Sequence, residues 1–244
     1  MSDASGAEAV VAVTPTTEVV FSKLKGVLFD IDGTLTNSDP LHFKAFQNIL
    51  SEAGYNNGVP IEEDFFRTNI SGRHNPEIAA DLFPDWSEQQ QTLFSETKEQ
   101  LFRDMAGTDL TPLPGLLDFI AWVDARGLRK GAVTNAPAAN TQLMLGALQL
   151  DTYFETVVLG EECERAKPFP DPYLEGLRLL ELKADETLVV EDSPAGIKAA
   201  VTAGIPVIGL TTGQSEHTLR EAGACHVVAD FTEIMAMIAG QECA

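Results

Sequence analysis

The chain has 244 residues, 44% hydrophobic and 22% charged, enough to bury one full core with a smaller lid beside it. Its formal charge of −21 creates a field that repels phosphate backbones and anionic lipid, so nucleic-acid and membrane partners are disfavoured. The same field repels a small phosphorylated ligand, so any anion site must carry its own concentrated positive charge.

The opening residues are small, β-branched and mildly acidic, with no signal-peptide core behind basic residues; residues 1–22 are expected to form a flexible tail. The longest apolar runs, such as 9–13, fall well short of the ~20 residues that span a bilayer. Cys163, Cys225 and Cys243 are widely spaced, which suggests neither a disulfide framework nor a zinc site and fits a reducing, cytoplasmic location.

The run Gly26-Val-Leu-Phe-Asp30 reads as a buried strand that ends in the loop signal Asp-Gly-Thr. From about 39 to 107 the pattern turns helical, with spacings that predict helices over 41–50, 76–83 and 89–105. Beyond Pro114 helices and strands alternate: helices over 116–125, 140–148, 171–180, 194–203, 216–222 and 232–238, and strands over 130–134, 156–159, 187–191, 206–210 and 227–228. Repeated βα units of this kind imply an α/β fold, a doubly wound parallel sheet with helices on both faces, interrupted by a helical insert. The expected division is a core of 23–35 and 111–244 with an inserted helical lid of 36–110.

Ligands of such sheets bind beyond the carboxyl ends of the strands, and four polar clusters lie there. In Asp30-Ile31-Asp32-Gly33-Thr34 the alternation of an extended chain sends Asp30 and Asp32 to one side. An aspartate with an ordinary pKa of ~3.9 is ionised at neutral pH and can attack phosphorus without a base if a cation masks the repulsion, while a second carboxylate moves the proton. An ordinary acidic turn is the competing reading; a calcium loop would need Gly near Leu35 and an acid near Leu41, and finds neither. Val133-Thr134-Asn135 offers a hydroxyl, an amide and backbone N–H groups, or is a plain strand-to-helix turn. Arg165-Ala166-Lys167-Pro168 supplies a positive charge, or is a solvated loop. Val189-Val190-Glu191-Asp192-Ser193-Pro194-Ala195-Gly196 delivers two hard carboxylates suited to Mg²⁺, or caps a helix.

Taken together and in this order, the four clusters resemble the four motifs of the haloacid dehalogenase superfamily of phosphotransferases. The resemblance implies a nucleophile at Asp30, an acid/base at Asp32, a phosphate-binding hydroxyl at Thr134 and a charge-neutralising Lys167. It further implies Mg²⁺ held by Asp30, Asp192 and the Asp32 carbonyl, with Glu191 orienting or ligating the ion. The insert is similar to the α-helical lid of β-phosphoglucomutase-like and phosphoglycolate-phosphatase-like members, with Asp39-Pro40-Leu41-His42 a shared stretch. His42 is then expected to meet substrate or control closure. The segment 69–75, with Gly72, Arg73 and His74, occupies the place of their substrate-specificity loop, and Asn135 is expected to touch substrate. The phrases at 56–60, 133–137 and 207–213 look like those of sugar-phosphate phosphatases in this superfamily.

The expectation is therefore Mg²⁺-dependent hydrolysis of small phosphorylated metabolites through an aspartyl phosphate, by a monomer. A sugar-phosphate mutase is the nearest alternative, although Asn75 and Pro137 stand where mutases carry a cation for the second phosphate. A non-catalytic binding protein would be expected to have lost Asp30, Asp32, Lys167 or Asp192, and none is lost. No G-x-x-x-x-G-K-[ST] or G-x-G-x-x-G loop supports nucleotide chemistry.

Overall fold

The computed structural model describes residues 19–73, 75–107 and 110–242. Six strands, β1 (Gly26–Phe29), β2 (Arg129–Thr134), β3 (Thr156–Leu159), β4 (Thr187–Glu191), β5 (Val207–Leu210) and β6 (His226–Val228), form one parallel sheet in the order β3-β2-β1-β4-β5-β6. A parallel sheet buries both faces, which is why these strands are near-continuous apolar runs. Along β1, Val27 and Phe29 join one hydrophobic layer and Leu28 the other; Leu188, Val190 and Val189 of β4 repeat the alternation.

Four helices lie between β1 and the next core helix: α1 (Asp39–Glu52), α2 (Glu63–Asn69), α3 (Asn75–Leu82) and α4 (Glu88–Ala106). They close around their own apolar cluster, built on Phe46, Ile49, Leu50, Phe66, Ile78 and Phe94. The sequence reading omitted α2, whose seven residues bury only Phe66 and so show no stripe. Around the sheet stand α5 (Leu116–Ala125), α6 (Ala138–Ala147), α7 (Asp171–Leu179), α8 (Pro194–Thr202), α9 (Glu216–Ala222) and α10 (Phe231–Glu242). The chain leaves the sheet and returns to it through neighbouring segments: Thr36 bridges Pro112, Thr36 Oγ1 donates to the Thr111 carbonyl at 2.8 Å, and Leu113 N–H to the Leu35 carbonyl at 2.9 Å.

Of the flexible tail expected over 1–22, the described residues 19–22 pack against the core. Val19 and Phe21 are buried, the Phe21 ring standing edge-on to Trp122 at 6.0 Å. The Gln241 amide clasps this segment, donating to the Val19 carbonyl at 2.7 Å and accepting from Phe21 N–H at 3.2 Å. Residues 1–18 lie outside the described residues.

Candidate active site

The register of the sheet brings the chemistry to one edge. Asp30 follows the last residue of β1, Thr134 ends β2 and Glu191 ends β4, so three of the candidate residues emerge side by side at the carboxyl ends of adjacent strands. The Asp30 N–H donates to the Val190 carbonyl at 3.1 Å, which carries the β1–β4 pairing into the site.

Lys167 fills the gap between them. Its ammonium donates three bonds, each of 2.8 Å, to Asp30 Oδ1, Glu191 Oε1 and the Val133 carbonyl, using every proton it has. It is 5% exposed, beside an Asp30 at 6% and a fully buried Glu191, so this is a dry cluster in which charge interactions are strong. Burial would lower the Lys167 pKa, and Asp30 and Glu191 more than reverse it. Asn135, expected to meet substrate, uses both ends of its amide on the Lys167 backbone: Nδ2 donates to the carbonyl at 3.0 Å and Oδ1 accepts from N–H at 3.1 Å. Its side chain therefore holds the lysine loop in place. Thr134, 1% exposed, accepts from Ala136 N–H at 3.0 Å.

Glu191 accepts at both oxygens, Oε1 from Lys167 and Oε2 from Ser193 N–H at 2.7 Å and Ser193 Oγ at 2.9 Å. Asp192 has no such partner among the described residues, and burial, then Glu191 and Asp30, push its carboxyl well above the ordinary range. Burial likewise pushes Asp30 up to about 7, against the pull of Lys167. Ligand atoms of Asp30, Glu191 and Asp192 lie within 4.8 Å of one another, all buried, with Lys167 the one ammonium among them. Three hard carboxylates against one cation is a donor set short of positive charge, and it fits a divalent ion such as Mg²⁺. Two glycines shape it: a Cβ on Gly33 (φ +75°) would stand 2.0 Å from Asp192 Oδ2, and one on Gly196 would stand 1.5 Å from Glu191 Oε1.

Asp32 lies just outside this cluster. Its Oδ1 accepts from Ser38 Oγ at 2.7 Å and meets His42 Nε2 at 3.0 Å. His42 Nδ1 lies 3.0 Å from Lys98 Nζ, and an ammonium can only donate, which assigns the ring proton to Nε2 and makes it the donor to Asp32. The imidazole stacks on Phe102 at 4.0 Å and 6°. Burial pushes Asp32 up, and His42 with Ser38 outweighs it, leaving the carboxyl below its ordinary range.

These groups face a cavity of about 450 Å³ that the lid helices close over. His42 arrives from α1, Lys98 and Glu99 from α4, and the α2–α3 loop comes down at Gly72, where a Cβ would be 3.4 Å from Ser193 Cβ. Arg73 lines the cavity, but its guanidinium donates to the Asn69 carbonyl at 2.9 Å and to Asp81, both within the lid. His74 lies outside the described residues. The sequence reading passed over Ser38, Lys98 and Glu99. The signal for Lys98 was present: it stands midway between Phe94 and Phe102 at spacings of four, on the buried stripe of α4.

The profile of the family described as Haloacid dehalogenase-like hydrolase matches residues 27–210. The chain is 28% identical over 211 residues to the phosphorylated carbohydrates phosphatase of Thermotoga maritima, covering 84% of this chain and 94% of that one. It is 31% identical over 218 residues to the phosphoglycolate phosphatase of Rhodospirillum rubrum, covering 86% and 89%. Among solved structures, CbbY from Rhodobacter sphaeroides in complex with phosphate superposes with a TM-score of 0.74 at 25% identity over 86% of this chain and 96% of that one. The β-phosphoglucomutase of Clostridium difficile shares the fold at 20% identity, with a TM-score of 0.75 over 89% and 96%.

Proposed function

The chain belongs to the haloacid dehalogenase-like hydrolase family, and we propose that within it this protein is a Mg²⁺-dependent phosphatase of small sugar phosphates. The observation that carries this reading is Lys167, fixed by three hydrogen bonds between Asp30 and Glu191 in the buried wall of the cavity. A lone cation so placed answers the need of an acidic protein for concentrated positive charge around a phosphoryl group. The relative named as a phosphatase of phosphorylated carbohydrates supports the sugar-phosphate class, and the one named phosphoglycolate phosphatase supports only the hydrolysis of a small phosphomonoester.

Asp30, Asp192 and Glu191 would hold the ion, with the Asp32 carbonyl beside them; once bound it would neutralise phosphoryl charge and lower the carboxyl pKa of Asp30. Asp30 attacks phosphorus in line: an O–P bond forms to the carboxylate as the bond to the sugar oxygen breaks. Lys167 and the Thr134 hydroxyl stabilise the equatorial oxygens, and Asn135 keeps Lys167 from drifting. Asp32, ionised in the free site, takes up the proton of the incoming phosphomonoester and passes it to the departing oxygen. Water then attacks the aspartyl phosphate, its proton passes to Asp32, and Asp30 is released. The Nε2–H of His42 and the hydroxyl of Ser38 stabilise the ionised Asp32 that remains between these steps.

A mutase shares the fold and the first half of this cycle. Its return step needs a cation for the second phosphate, whereas Asn75 and Pro137 line the cavity here and the Asn75 amide is spent on Glu99. Hydrolysis is the reading these residues favour, by a cytoplasmic monomer. Phosphate release from triose, pentose and hexose phosphates in Mg²⁺, absent in EDTA and in Asp30→Asn, is the expected outcome. Silence on every monophosphate, with isomerisation once a bisphosphate is added, would replace the phosphatase by the mutase.

A further inference from the structure

We propose that Glu99 is a specificity-determining residue: a fixed negative charge that selects phosphomonoesters of neutral polyols and turns away those whose alcohol carries a carboxylate or a second phosphate. This inference rests on the phosphatase reading above and narrows its substrate class.

Glu99 lies on α4, 7% exposed, and lines the cavity with Asp30 and Asp32. Oε1 accepts from Lys98 Nζ at 2.7 Å and from the Asn75 amide of α3; Oε2 accepts from the Asn140 amide of α6. The carboxylate is thus gripped from two lid helices and one core helix at once, and cannot swing aside when a ligand arrives. Burial pushes its carboxyl up, and Lys98, His42 and Asn75 more than reverse this, so that it sits below the ordinary range and is ionised at neutral pH.

On the rest of the wall acids outnumber cations, and the one cation without a carboxylate partner among the described residues, Arg103, is held by side-chain amides. Away from the Asp30–Lys167 cluster and Asp32, the cavity is lined by the acids Asp39, Glu96, Glu99 and Glu161 and the cations Arg73, Lys98 and Arg103. Arg73 is paired with Asp81, and Lys98 with Glu99. Arg103 donates to Asn140 Oδ1 at 2.8 Å and to Gln100 Oε1 at 2.7 Å; the same Asn140 amide bonds Glu99, so this cation is tied into the same cluster. A hydroxyl, by contrast, can donate to the lone pairs that Glu99 has left. Like charges meeting in a desolvated pocket repel far more than in water, and an unpartnered anion loses its hydration as well.

Two matched pairs test this with the full chain in Mg²⁺: glycerol 3-phosphate against 3-phosphoglycerate, and glucitol 6-phosphate against 6-phosphogluconate. Within each pair the only change is a terminal hydroxymethyl group replaced by a carboxylate. The wild type is expected to favour the neutral member by about tenfold or more in kcat/KM, and Glu99→Gln to lower that ratio by about tenfold. Should Glu99→Gln fail to fold, inhibition of the wild type decides: the acid's KI is expected about tenfold above the neutral KM. A ratio near one in the wild type, an unchanged ratio in folded Glu99→Gln, or an acid that binds as tightly as its neutral twin would overturn the proposal and leave the phosphatase standing. Phosphate release from no member of either pair, nor from any sugar phosphate, would remove the phosphatase reading and this one with it.

Discussion

The two halves of the cavity are built in different ways. On the core side, Asp30, Thr134 and Glu191 stand at the ends of adjacent strands, and Lys167 is bonded to the first and last of them and to the carbonyl of Val133, the residue before Thr134. Their positions follow from sheet register, which a single substitution elsewhere hardly moves. On the lid side no strand takes part. Asp32 is reached by a relay of side chains, His42 to Lys98 to Glu99 to Asn75 and Asn140, spread over four helices. A relay of this kind can be altered one residue at a time without disturbing the sheet, so one scaffold can keep its chemistry while its substrates change.

The sharpest way to break that contrast is Lys167→Ala. It strands Asp30 and Glu191 as buried unpaired charges, so turnover should fall by about 10³-fold or more and stability by about 3–5 kcal/mol, read from phosphate release and chemical denaturation. If the variant kept a tenth of its activity, the core half would not be the rigid machine described. Lys98→Met leaves the strand ends untouched but frees the acceptor nitrogen of His42. The expected loss is about 10–100-fold in kcat with a smaller change in stability, and an effect as severe as that of Lys167→Ala would erase the distinction between the halves.

A third test separates the halves by pH. Burial holds the folded-state pKa of Asp30 at about 7, above its unfolded value, so the folded state binds the extra proton. Stability in EDTA should therefore decline as pH rises towards about 7, as Asp30 gives up its proton. Mg²⁺ should raise the melting temperature more at pH ~8 than at pH ~5.5, because its ligands must be ionised. A flat profile in EDTA would show that the carboxylates of the core half are not short of positive charge. The smallest effect is expected from Arg73→Ala: its guanidinium is held by Asn69 and Asp81 inside the lid, so a few-fold shift in the ranking of sugar phosphates is the predicted change. Uniform loss across the panel would place Arg73 with the core residues.

The same contrast explains what could be read from the sequence. Asp30, Asp32 and the Glu191-Asp192 pair were legible because continuous apolar runs mark buried strands and these groups stand where such a run ends, whereas Lys167 lies in the loop beyond β3 and was legible only through the resemblance of its motif. The lid relay was not, because Lys98-Glu99 within the polar helix α4 looks like a solvated ion pair until Phe94 and Phe102 are set on the same stripe. Asn135, expected to touch substrate, lines the cavity, and its further bond to Lys167, 32 residues on, is one that no local pattern announces. Val19 and Phe21 were assigned to the tail because two isolated apolar residues carry no periodicity, and only Trp122 and Gln241 make them part of the core.

Gly33 and Gly196 extend the idea of a functional residue. Neither brings a polar side chain, yet the carboxylates of Asp192 and Glu191 occupy the space where their first carbon would stand. A single added methyl group at either position must displace a buried carboxylate or the turn that carries it. In a comprehensive mutational survey both positions should therefore be as intolerant as the acids they face. The site is shaped by what those two positions leave empty as much as by its charge.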